Sequence, residues 1–139
     1  MVQMPDPALE RLTGLRNGLL HLHKSLLDSE RAAYERDVAR IVSPGQYLGL
    51  VLNDPWFAWL HDLSQFIVLV DETIDLEEPA TSGDAARLIA QARELLSPSE
   101  TGVGFRQRYF EAMQRDPAVI LAHRDMMKVF EGLTNERRT

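Results

Sequence analysis

Three polar residues interrupt the leucine-rich start of the chain at equal intervals: Arg16, His23 and Glu30 stand seven apart. Seven residues are nearly two helical turns, so the three share one side of a helix, between two lines of leucines. The same phase argument puts His123 in the sector of Val119, Met126 and Phe130, and sets Ser64 and Asp71 beside Leu60 and Ile67. Such groups on inward sides need partners, because an unpaired buried charge is strongly destabilising. Two imidazoles and two carboxylates, His23, Glu30, Asp71 and His123, form the donor set of a metal or acid–base site. Tyr34 and Tyr109 would add phenols to a small-ligand pocket made from the same groups.

Spacing argues against the metal. His23 and Glu30 lie about 10.5 Å apart along a helix rising 1.5 Å per residue, too far to share one ion. The Glu-x-x-His pairs of carboxylate-bridged bundles are absent, as are His-Glu-x-x-His and histidines at i, i+4. Asp71 and Asp75 are spaced as an acid–base pair, but with Glu72, Glu77 and Glu78 they form a charge run at a helix end. Acid there opposes the helix dipole and calls for a cation. Arg106, Arg108 or an arginine of the first helix is the expected source, and a basic partner docking on the run is the functional counterpart. His61 and Asp62 are adjacent and point to different sides. Ser25, Ser29 and Ser64 lack a nucleophile-elbow context, and Gly102-Val103-Gly104 lacks a phosphate loop's preceding strand. No catalytic or metal-ligating residue and no cofactor is assigned. Arg16, His23, Glu30, Tyr34, Asp71 and His123 stand as candidates for ligand binding or an interior polar network joined by hydrogen bonds.

The elements that must position these groups are helical. Asp6-Pro7 opens a first helix expected to run to about Arg40, on which Leu12, Leu15, Leu19, Leu22 and Leu26 keep four-three spacing. Leu20, Leu27 and Tyr34 form a second line at sevens. Gly14 and Gly18 lie inside this helix, where they either permit a close helix approach or soften its first turns. Ser43-Pro44-Gly45 breaks the chain, and a short helix follows through Leu52.

Asp54-Pro55 then starts a central helix over 54–75, because the carboxylate can accept from first-turn N–H groups and proline loses nothing at the first position. Apolar residues all round Phe66–Val70 predict that neighbours cover it on most sides. Trp56, Phe57 and Trp59 crowd its start; either the preceding short helix covers them or part of the cluster is an oligomer surface. After a loop over 77–84 come a helix to Leu96, a loop over 97–104, a helix from Phe105, and a last stretch through Leu133. Asp116-Pro117 either separates two helices or kinks one. Segments 1–6 and 134–139 are expected to fray. Without any period-two alternation, the 139 residues read as one all-α domain, an antiparallel bundle of five to six helices.

Cysteine is absent, which removes disulfides and thiolate chemistry. Residues 54–103 hold two Lys/Arg against ten Asp/Glu, within a formal net charge of -6. That balance disfavours nucleic acid and anionic membranes. No secretory leader and no apolar run long enough to span a bilayer is visible, so a cytoplasmic setting is expected. Two segments, LHKSLLDSERAAYE (22–35) and DPWFAWLHDLSQFIVLVDE (54–72), resemble a family of small bacterial helical-bundle proteins that carry no assigned activity. The resemblance implies a bundle and carries no site residue with it. The functional expectation is a non-enzymatic binding or protein-interaction module, homodimeric or with a protein partner. The alternative is a metal- or small-ligand-dependent enzyme or binding protein using the inward histidines and carboxylates.

Overall fold

The computed structural model describes residues 6–76 and 78–135. Six α-helices follow in order: α1 Pro7–Asp37, α2 Pro44–Asn53, α3 His61–Ile74, α4 Ser82–Leu95, α5 Phe105–Arg115 and α6 Pro117–Asn135, with one 3₁₀ turn at Ala58–Leu60. No strand occurs among the described residues. The chain is a single all-α domain in which α6, α3 and α4 pack around α1, consistent with an antiparallel bundle. None of the described helices is long and apolar enough to cross a membrane.

The leucine spacing of α1 does what it predicts: Leu12, Leu15, Leu19, Leu22 and Leu26 are all buried to within 1% of full. The second line behaves differently. Leu20 is 47% exposed, Leu27 half-buried and Tyr34 buried. Seven residues fall about 20° short of two full turns, so a line at sevens drifts around a straight helix, here from solvent into the core. α1 also stops at Asp37 rather than Arg40. Val38 N–H closes on Tyr34 O at 2.8 Å and the Glu35 carboxylate accepts from Ile41 N–H, turning Ile41 into the core.

The expected helix over 54–75 is two elements. Asp54 does cap, accepting from Trp56 N–H at 2.9 Å, but the next turns are 3₁₀-like, and α3 begins only at His61. In three-residue winding, side chains at i and i+3 stack. That places Phe57, Leu60 and Leu63 in one column, all at least 99% buried. Neighbours do not surround Phe66–Val70 either: Val68 and Leu69 are 52% and 44% exposed while Ile67 and Val70 are buried. α3 lies against α1 with only a light contact to α4, so it has an inner and an outer side.

Asp116 resolves the proline ambiguity. Its backbone is extended and caps α5, and its carboxylate accepts from Ala118 N–H at 2.9 Å at the start of α6, giving two helices with one residue between them. Gly104, at φ +80, supplies the left-handed step into α5. Close approach explains Gly14 and Gly18: a Cβ on Gly18 would sit 3.0 Å from Met126 Sδ, and one on Gly14 3.2 Å from Leu133 Cδ2, both on α6. The positions expected to fray, 1–6 and 134–139, lie outside the described residues save Asp6, which caps α1, and Thr134 and Asn135, which belong to α6.

Candidate functional site

The seven-residue polar line of α1 drifts inward just as the Leu20 line does. The Arg16 side chain is 29% exposed, His23 is half-buried, and Glu30 is 5% exposed. They meet different partners. Arg16 Nη1 donates to Asp71 Oδ1 at 3.0 Å, so a first-helix arginine answers the acid at the end of α3. Of the other cations considered, Arg106 donates to Ser97 O and Arg108 lines the clefts beside Trp59. Glu30 Oε1 accepts from Arg115 Nη2 at 2.6 Å, tying α1 to α5. Burial holds the His23 imidazole below its ordinary pKa.

His123 Nδ1 lies 2.7 Å from the Tyr109 hydroxyl. Tyr109 is fully buried, and burial pushes its phenol far above the usual range while lowering His123. Both are therefore neutral near pH 7. The buried O–H needs an acceptor, which Nδ1 supplies when Nε2 carries the imidazole proton. Tyr34 packs edge-on against Trp56 at 5.7 Å and tilts against Phe57 at 5.9 Å. Among the described residues Arg16 with Asp71, Glu30 with Arg115 and His123 with Tyr109 form three separate pairs, and no three His, Asp or Glu side chains gather where they could hold a metal.

Tyr34 and Tyr109 are closed in by aromatic rings and line none of the three clefts found. The smallest cleft, about 140 Å³, is walled by Glu30, Trp56, Trp59, Arg108, Glu111 and Arg115. A second, about 400 Å³, continues past Trp59 and Arg108 to Asp62 and Phe105. The aromatic cluster at 56–59 is mostly covered. Phe57 packs between Tyr34 and Tyr47, and Trp59 tilts against Phe105 at 5.3 Å.

An exposed apolar surface lies on α2, the short helix that was one of the two alternatives for covering that cluster. Ser43 Oγ accepts from Gln46 N–H and Gln46 Oε1 accepts from Val42 N–H, which fixes the helix start. Tyr47 reaches back to donate to Leu27 O at 3.4 Å, under the Arg31 guanidinium 4.6 Å from its ring, and His61 Nε2–H donates to Val51 O. Those ties leave none of the ten residues buried. Leu48 and Leu52 are 59% and 57% exposed, and Val42 77%. Between α1, the 38–43 segment and α2 runs a groove of about 380 Å³ lined by Leu27, Ile41, Val42, Tyr47, Leu48 and Val51, with Arg31 at its edge.

Helical phase on α1, α3 and α6 could not find this surface, because its residues are not polar groups on apolar faces. The available signal was charge: residues 41–53 contain no Asp, Glu, Lys, Arg or His, the longest such stretch in the chain. Compared with protein-family models, with curated proteins and with solved structures, the chain matches none.

Proposed function

We propose that this protein is a non-enzymatic helical-bundle interaction module whose docking surface is the groove and outer side of α2. One observation carries the reading: a ten-residue, uncharged, largely apolar helix with no buried residue, beside an apolar groove of about 380 Å³. Apolar area left contiguous in water is the usual mark of a binding surface, because covering it releases free energy in proportion to area. The polar candidates support the same reading by their engagement. Arg16, Glu30, Asp71 and His123 are each taken up by a partner across helices, as in a bundle that uses them to fix its packing. A bacterial setting belongs to this proposal on the resemblance of segments 22–35 and 54–72.

The test is Leu48→Gln with Leu52→Gln, read by binding of an apolar fluorescent dye to the native protein and by urea unfolding. The expected result is dye binding by the parent chain, its loss in the variant, and stability changed by less than about 0.5 kcal/mol, as for surface substitutions. A variant that is strongly destabilised would show that these leucines serve the chain's own packing, and a parent that binds no dye at concentrations where it is monomeric would show that no apolar surface is open; either would sink the reading.

A further inference from the structure

α2 carries a side that nothing in the described chain uses. Gly45, Leu48, Gly49 and Leu52 fall on one side of the helix, at i, i+3, i+4 and i+7, and all four are exposed. Glycine weakens a helix more than any residue but proline. Yet a Cβ built on Gly45 or Gly49 meets no described atom within 4 Å. The described chain therefore gives no packing reason for a glycine at either position.

The same chain shows what that spacing does when it is used. Gly14 and Gly18 are also four apart on a helix, and α6 comes near enough that Leu133 and Met126 lie over them at 3.2 and 3.0 Å from a built Cβ. Small residues at this interval let two helix backbones approach, with large side chains of one helix over the glycines of the other. α1 therefore has its second helix, and α2 presents the same device to solvent.

We infer that the missing helix is the α2 of a second copy, packed across a two-fold axis so that Leu48 and Leu52 of each copy lie over Gly45 and Gly49 of the other; this rests on the docking surface proposed above and names its occupant. Self-complementarity is the first reason. A two-fold interface uses one patch twice, so the patch must hold both the protruding groups and the space that receives them. Here leucines and glycines alternate on one side of one helix. Charge is the second. A chain of net charge -6 repels its own copy, and least where the meeting surface is uncharged, as residues 41–53 are. A basic partner would be drawn instead to the acidic end of α3. The patch is smaller than the ~20–30 residues a side of a standard interface, so the dimer is weak and assembles in the micromolar range. Added salt tightens it, because it screens the repulsion between the two copies.

The experiment is sedimentation equilibrium of the full chain from low to high micromolar concentration at two salt concentrations, with Gly49→Gln and Leu52→Gln beside the parent. Cross-linking of Leu48→Cys under mild oxidation accompanies it. The chain has no native cysteine, so any disulfide is intermolecular and at the chosen site. Val103→Cys, at a residue 90% exposed, measures random collision. Expected are a parent dimer, ~tenfold or weaker association in both variants with thermal unfolding, taken where the parent is monomeric, no lower than the parent's, and faster cross-linking at position 48 than at 103. A dimer that persists in both variants, or equal cross-linking at the two positions, overturns the inference. A parent that stays monomeric yet binds the apolar dye through Leu48 and Leu52 overturns the second copy alone and leaves the docking surface standing. Monomers that instead bind phosphatidylcholine vesicles through α2 overturn it in favour of a lipid surface.

Discussion

The Glu30–Arg115 pair should be unequally sensitive to the loss of its two members. The side chain of Glu30 is 6% exposed and that of Arg115 36%, at a contact of 2.6 Å. Take away the acid, as in Glu30→Met, and Arg115 keeps a path to water through the cleft it lines. The charged hydrogen bond is lost, about 1.5–3 kcal/mol, but the desolvation of Glu30 is lost with it, leaving a net cost of about 1 kcal/mol. Take away the base, as in Arg115→Met, and a carboxylate remains buried without its partner, which typically costs about 3–5 kcal/mol. Arg108 lines the same cleft and can take part of that load, so the lower figure, about 3 kcal/mol, is expected. The double variant, with both charges gone and apolar volume retained, should fall within about 1 kcal/mol of the parent. Urea unfolding at pH 7 measures all four chains, provided the slope with denaturant stays constant. If Glu30→Met proves as damaging as Arg115→Met, burial does not set the balance of this pair and the reasoning fails.

Other perturbations separate as clearly. Gly49→Ala should stabilise the fold by up to about 1 kcal/mol, since it gains helix propensity against open space, whereas Gly18→Ala, where the same gain is set against crowding of Met126 and Val129, should fall about 1–2 kcal/mol below it; equal effects in thermal unfolding would contradict the packing described. Tyr109→Phe should cost about 1–2 kcal/mol, because it removes the hydrogen bond and strips His123 Nδ1 of its donor; a neutral result would mean the contact contributes nothing. The pKa values of His23 and His123 are both lowered by burial in the folded state, so below the ordinary value of 6.5 the unfolded chain binds more protons than the folded one. Stability present above pH 6.5 is therefore lost as pH falls through the lowered values, and replacing both histidines by glutamine should flatten that part of the profile in urea midpoints taken between pH 7.5 and about 5.

How far the sequence was legible depends on whether a signal was local. The four-three leucines of α1 and its start at Asp6 are properties of adjacent turns and took their expected form, whereas Asp54 accepts from Trp56 N–H yet opens a 3₁₀-like stretch in place of the expected helix. The Asp116-Pro117 alternative was posed correctly but could only be settled by where the Asp116 carboxylate pointed. What local pattern misjudged were quantities set by neighbours. Leu20 and Tyr34 share a line, yet only Tyr34 meets Trp56 and Phe57. Phe66–Val70 is apolar all round, yet α3 has one covered side. The start of α3 shifted by six residues because Phe57, Leu60 and Leu63 stack at threes and an α-helix would not stack them. Of the candidate site residues, phase placed Glu30 and Tyr34 in the interior, set Asp71 on an inward side although its side chain is 51% exposed, and said nothing of which met which. Arg115, the partner of Glu30, lies 85 positions away on an element where no pattern marked it. The α2 surface was hidden for the opposite reason: its residues look like ordinary core.

The single residue between α5 and α6 leaves no slack at that corner. A helix end and a helix start share Asp116, so deleting it removes the cap of both and disturbs the packing that sets Tyr109 against His123. Val103 itself, 90% exposed, has no such obligation. Anyone grafting a loop or an epitope onto this scaffold should enter at Val103 and leave the elbow at its native length.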